Sequence, residues 1–165
     1  MEHTLVILKP DGVKKNLLME VIERFQKEGL IVSNLKKMKL NKELLREHYS
    51  HLVERTFYKD LEEFMLSDYV NVMIVSGDNA IERVRKIVGA TDPKKAEPNT
   101  IRGMYGDKDD MARNVIHASD SIINALNEIK RFYKEELEKG NNFINKENLC
   151  YQKRRENEKF KNYIV

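Results

Sequence analysis

Residues 4–8 read Thr-Leu-Val-Ile-Leu, a run with no polar alternation. Successive side chains of a strand point to opposite faces, so a strand that is apolar throughout belongs in a sheet covered on both sides. The run stops at Lys9-Pro10-Asp11-Gly12, a strong turn signal that leaves a lysine exposed at the strand end. A doubly buried strand needs covering elements, and the pattern that follows supplies them. Leu18, Val21, Ile22 and Phe25 recur at helical spacing, and Gly29 sits where a C-terminal glycine cap belongs. Residues 30–40 read as a second strand with an exposed basic stretch, Lys36-Lys37-Met38-Lys39. Asn41 is placed to cap a helix that puts Leu45, His48, Tyr49 and Leu52 on one face.

Asp60-Leu-Glu-Glu63 and Asn79-Ala-Ile-Glu82 both have the shape of a capping box, and residues 70–75 form a third strand between them. The second box opens a helix through Ile81, Val84 and Val88. From Gly89 to Arg113 the periodicity lapses, and Pro93, Pro98, Gly103 and Gly106 interrupt the chain. A loop of that length in a compact domain is functional or disordered. Asn114-Val-Ile-His117 is a short fourth strand, and Ser119 or Ser121 caps a helix carrying Ile122, Ala125, Leu126 and Ile129. Four strands with two crossover helices are arranged most economically as a ferredoxin-like βαββαβ sandwich of the α+β class. A doubly wound parallel sheet is the alternative, and it calls for more strands. The 165 residues suit one domain over residues 1–140, with a polar, charged extension over residues 141–165.

Composition excludes several function classes. The single cysteine, Cys150, forbids an intrachain disulfide and a multi-cysteine zinc site. No apolar run approaches the roughly 20 residues of a membrane span. The Met-Glu-His-Thr start has no basic stretch leading into an apolar one, so a cytoplasmic setting is expected. A formal net charge of +3, with both signs interspersed, does not mark nucleic acid as the main ligand. The basic cluster Lys153-Arg-Arg155 reads as a solvated face beside Glu156 and Glu158.

Several residues can carry chemistry. Lys9 at a strand end can meet a phosphate, although no G-x-x-x-x-G-K-[ST] occurs. His48 and His51 sit three apart on a helix without a visible third ligand, which favours a packed or solvated face over a metal site. His117 ends an apolar strand, and a neutral imidazole is a capable nucleophile. Arg85 and Arg102 flank the irregular loop, with Thr91 between them; two guanidinium forks there can converge on phosphate oxygens. Strand alternation puts Asn114 and His117 on opposite faces unless the strand bulges or ends. Tyr49, Phe57, Tyr58 and Phe64 read as core aromatics, one of which can instead stack on a base.

Asn114-Val-Ile-His-Ala-Ser-Asp-Ser121 resembles the active-site signature of the nucleoside diphosphate kinase family. Leu8-Lys-Pro-Asp-Gly-Val13, Glu47-His-Tyr49 with Arg55-Thr-Phe57, Val88-Gly-Ala-Thr-Asp-Pro93 and Pro98-Asn-Thr-Ile-Arg-Gly103 resemble its other blocks, in family order. The resemblance implies a helical hairpin and a long active-site loop on the sandwich. It also implies ping-pong transfer of the γ-phosphate of a nucleoside triphosphate to a nucleoside diphosphate, through phosphohistidine at His117. Position by position it implies that Lys9, Tyr49, Arg85, Thr91, Arg102 and Asn114 contact phosphate or sugar. It further implies that Phe57 stacks on the base with Leu61 beside it, that Glu128 fixes the imidazole tautomer and that Ser119 supports that arrangement. The resemblance also implies that magnesium bridges the nucleotide phosphates, with Asp120 reaching it through water, and that the chain forms a homo-oligomer, tetramer or hexamer. The alternative is a catalytically silent family domain that binds a protein or nucleic acid. Thr56 replaces a usual proline, Met19 replaces a frequent glycine, and residues 104–112 run about two residues longer than in common members. Asp107, Asp109 and Asp110 are expected to point away from the phosphate site.

Overall fold

The structure, a computed structural model, describes residues 1–140. The expectations for Cys150, for Lys153-Arg-Arg155 and for the extension over residues 141–165 lie outside the described residues. The chain runs β1 (Glu2–Leu8), α1 (Pro10–Lys14), α2 (Leu18–Lys27), β2 (Ile31–Met38) and α3 (Lys42–His48). A 3-10 turn over Ser50–Leu52 leads into α4 (Tyr58–Leu66), β3 (Val70–Gly77), α5 (Ala80–Val88) and α6 (Ile101–Tyr105). The last elements are β4 (Ile116–Ala118), α7 (Ile122–Phe132) and α8 (Lys134–Glu138). No helix of the described residues is long and apolar enough to cross a membrane.

The four strands lie in the order β2-β3-β1-β4, and every pairing is antiparallel. That arrangement is the ferredoxin-like sandwich, and it rules out the parallel alternative. β1 lies inside the sheet, paired with β3 and β4, as its unbroken apolar run demands. Its side chains divide by alternation. Leu5 and Ile7 join Leu45, Tyr49, Phe64, Met65, Ile129 and Phe132 beneath the α3–α4 hairpin and α7. Val6 and Leu8 join Val21, Phe25, Val84 and Val88 beneath the crossover helices α2 and α5. Both faces are therefore covered, and burying each large apolar side chain stabilises the fold by about 1.5–3 kcal/mol.

Asn41 and Ser121 cap α3 and α7 by accepting from the Leu44 and Asn124 amides, and Gly29 adopts φ 70° after α2. Other local expectations need correction. Lys9-Pro-Asp-Gly12 is not an open turn with an exposed lysine: Pro10 starts the short helix α1, and Lys9 is buried at its N-cap. Proline suits that first position because its missing amide hydrogen is not needed there. α4 begins at Tyr58, so Asp60 lies inside its first turn and caps nothing. Asn79 does precede α5, but in a left-handed conformation with no side-chain cap. Lys36 is not a solvated charge. It donates to the Phe132 carbonyl and to Glu136, both at 2.6 Å, and lies over the Tyr133 ring. The irregular stretch hides α6, whose Thr100 cap accepts from the Gly103 amide.

Candidate active site

The C-terminal end of β1, the hairpin α3–α4, the loop before β4 and the start of α7 enclose a cleft of about 760 Å³. Lys9, Tyr49, Phe57, Leu61, Arg85, Thr91, Arg102, Asn114, His117, Asp120 and Glu128 all line it. Ser119, the remaining expected site residue, is fully buried behind the cleft wall. A cavity of about 790 Å³ shares Arg85 and Asp120 with this cleft but has neither His117 nor Lys9 on its wall, so the chemistry points to the cleft.

His117 is held from behind. Its Nε2 donates to Glu128 Oε2 at 2.9 Å, and Ser119 Oγ donates to the same oxygen at 2.6 Å. Ser119 is itself fixed to β1, accepting from the Leu5 amide at 3.1 Å. A carboxylate that takes the Nε2 proton selects the tautomer whose lone pair is on Nδ1. That is the atom a nucleophilic imidazole needs free.

The backbone before His117 explains how Asn114 joins it. Val115 has φ 62°, which a β-branched residue rarely adopts. Such strain costs about 1–3 kcal/mol and persists only where neighbours impose it. Here the Lys9 amide donates to the Val115 carbonyl at 2.9 Å, and the Val115 amide donates to Asp11 Oδ2 at 3.0 Å. β4 starts only at Ile116, so simple alternation does not run back to Asn114. Asn114 and His117 consequently line one cleft, and Asn114 Nδ2 donates to the Thr91 carbonyl at 2.9 Å.

Positive charge is built into the walls. Arg102 is buried, and its two terminal nitrogens donate to the carbonyls of Gly89 at 3.0 Å and Ile116 at 2.7 Å. Its Nε is buried without a hydrogen-bond partner among the described residues. Burial, then the neighbouring Arg85 guanidinium, lowers its pKa to about 10. Lys9 Nζ donates to the Ala112 carbonyl at 3.2 Å. Burial, then Arg102, lowers the Lys9 pKa to about 8. Two desolvated cations in one pocket repel, and for Lys9 the nearby Asp11 and Asp110 carboxylates offset this only in part. Phosphate is the ligand chemistry such a pocket fits.

Three sequence readings change here. Phe57 is no core aromatic: it is 46% exposed, and its ring is available at the cleft wall. Asp109 and Asp110 do not point away but line the cleft. They are tolerated because each has a cation, Lys94 at 3.7 Å for Asp109 and Arg113 at 3.1 Å for Asp110. His48 parts company with exposed His51: it is buried, and its ring packs edge-on against His117 with centroids 4.6 Å apart. Burial, then His117, holds its pKa well below the usual histidine value. Sequence reasoning also missed Asp11, the brace for Val115, and Arg113, which lies 4.6 Å above the Phe64 ring. Neither carries a pattern of its own.

Comparison with known proteins gives the chain a family. The family model described as Nucleoside diphosphate kinase matches residues 2–137. The nucleoside diphosphate kinase of Acetivibrio thermocellus is 48% identical over 135 residues, covering 82% of this chain and 98% of that protein. That of Pyrococcus abyssi is 47% identical over 136 residues, covering 82% and 86%. Among solved structures, the Encephalitozoon cuniculi nucleoside diphosphate kinase superposes with a TM-score of 0.76 at 38% identity, over 80% of this chain and 88% of that one. The Aquifex aeolicus enzyme gives 0.73 at 40% identity, over 79% and 94%. By sequence and by fold, this chain belongs to the nucleoside diphosphate kinase family.

Proposed function

We propose that the chain transfers the γ-phosphate of a nucleoside triphosphate to a nucleoside diphosphate through a phosphohistidine on His117. The observation that carries the proposal is an imidazole whose Nε2 is held by Glu128 in a cleft that buries Lys9 and Arg102. In the first half-reaction His117 Nδ1 attacks the γ-phosphorus, the bond to the bridging oxygen breaks, and the nucleoside diphosphate leaves with that electron pair. The Nε2 proton stays shared with Glu128, which balances the positive charge developing on the ring. The second half-reaction reverses these steps with another nucleoside diphosphate. Phosphoryl transfer asks mainly for positioning and for charge already in place. Lys9, Arg85 and Arg102 supply the charge; Tyr49, Thr91 and Asn114 supply polar contacts to phosphate and sugar. Phe57, with Leu61 beside it, gives the base a face to stack on, and stacking tolerates every base.

Magnesium prefers oxygen ligands and is commonly held through substrate phosphates. The cleft fits that mode: among the described residues its carboxylates form no oxygen cage, and exposed Asp120, whose Oδ1 accepts from Asn124 at 2.6 Å, would reach the ion through water. Magnesium there would neutralise charge on the phosphates. Residues 1–140 form the catalytic domain with residues 141–165 as its extension. The protein works as a cytoplasmic homo-oligomer, as its family resemblance implies.

The test is two-step labelling. Protein incubated with γ-labelled ATP and magnesium should retain acid-labile, base-stable label after free nucleotide is removed, and should surrender it to GDP as GTP. His117→Ala should fold and take no label. Turnover retained in that variant would refute the assignment.

A further inference from the structure

We propose that His48, His117 and Glu128 form an inhibitory site for a transition-metal dication of the Zn²⁺ type, whose binding takes His117 out of the reaction. Two independent observations point there. One nitrogen of each imidazole and a Glu128 oxygen all lie within 4.8 Å of one another, and no other such trio of His, Cys, Asp or Glu occurs among the described residues. Separately, His48 Nδ1 and Nε2 are both buried without a hydrogen-bond partner among the described residues. Buried polar atoms are ordinarily paired. Whichever tautomer His48 holds, one of its nitrogens offers an unused lone pair.

The donor set decides the cation. Two imidazoles and one carboxylate are a familiar zinc ligand set with one coordination position left open. Nitrogen donors favour zinc, copper and nickel, whereas magnesium takes oxygen. This cation is therefore distinct from the one that accompanies the nucleotide. Bonds of about 2.0–2.2 Å put tetrahedral donors about 3.4 Å apart. His117 Nε2 and Glu128 Oε2 are 2.9 Å apart. The trio therefore needs shifts of at most about 1.4 Å to reach that spacing. His117 and Glu128 are both partly exposed in the cleft, which gives the ion a route and leaves its fourth position facing substrate.

Coordination at His117 Nδ1 consumes the nucleophilic lone pair. Coordination at Nε2 releases the proton now shared with Glu128 to solvent and removes the tautomer control. Either mode silences the nucleophile. The inhibitory role rests on the phosphotransfer reading, whereas the metal site itself does not.

Cobalt is the probe for the site. Metal-free protein titrated with Co²⁺ should bind one equivalent with the intense visible band of tetrahedral cobalt, and Zn²⁺ should displace it. His48→Gln, checked for folding by near-ultraviolet circular dichroism, should weaken binding at least about tenfold. Glu128→Gln should do the same and serves if the first variant fails to fold. Equal affinity in folded variants and wild type, or an octahedral spectrum, would overturn the site. Zn²⁺-loaded protein, desalted and given γ-labelled ATP with magnesium, should take up at least tenfold less label than metal-free protein. A zinc-selective chelator should restore uptake. Undiminished labelling of the loaded protein would overturn the inhibitory role. Metal-free wild type that takes no label would strike the phosphotransfer reading and the inhibitory role together, while the cobalt spectrum still decides the site.

Discussion

Replacing Glu128 by glutamine preserves shape and removes the negative charge that faces His117. The Glu128 carboxylate accepts from His117 Nε2 at 2.9 Å and from Ser119 Oγ at 2.6 Å through a single oxygen. An amide oxygen at the same position can still accept from both, so the proton stays on Nε2 and only the negative charge is lost. The ring then develops positive charge during attack with no carboxylate to balance it. A hydrogen bond to a charged group contributes about 1.5–3 kcal/mol and is roughly twice as strong as a neutral one, so phosphorylation by ATP should slow about 4- to 12-fold. Nucleotide affinity should hardly change, because Glu128 acts on the ring and not on the phosphates. Stopped-flow measurement of the first half-reaction separates the two quantities. The nitrogen shifts of His117 should show the proton still on Nε2. A glutamine variant that phosphorylates at the wild-type rate, or whose proton moves to Nδ1, would refute this account of Glu128.

Other expectations follow from the same geometry. Burial lowers the Lys9 pKa from its ordinary 10.5 to about 8. The unfolded chain therefore binds the extra proton between those values, and stability relative to Lys9→Met should rise with pH from about 8 to 10.5 in urea titrations. Activity should move the opposite way: kcat/KM should fall as pH passes about 8, and Lys9→Met should lose that limb. Phe57→Ala should raise nucleotide KM about 5- to 150-fold by removing about 1–3 kcal/mol of stacking, with little change in kcat; an unchanged KM would remove Phe57 from the base site. Gly103→Ala would drive a methyl into the Glu97 carbonyl and the Thr100 cap, so thermal melts should show a loss of about 1–3 kcal/mol.

Much of the fold is legible because it is written in local pattern. The unbroken apolar run of β1 specifies a strand covered on both faces, and Gly29, Asn41 and Ser121 mark helix ends through local chemistry. Capping boxes at Asp60 and Asn79 fail because the same letters fit a helix interior and a left-handed turn. α6 escapes notice because five residues are too few to display a period. The site shows the same division. Its residue types are visible in the signature blocks, and the cleft gathers them. The environments that give them function are not visible. The burial of Lys9 and Arg102, and the packing of His48 on His117, arise from residues far apart in the chain. The turn at Val115 that brings Asn114 to the cleft depends on Asp11 and Lys9, about a hundred positions earlier.

The central claim is that Glu128 commits Nε2 and leaves Nδ1 of His117 to carry phosphate. Its most direct test is to phosphorylate the protein with ATP and magnesium, hold it at alkaline pH, and assign the phosphorylated nitrogen by phosphorus–nitrogen coupling. The account predicts one phosphohistidine, bonded at Nδ1 of His117, whose signal vanishes on addition of GDP. A phosphate on Nε2, on another histidine, or absent from folded protein would contradict it.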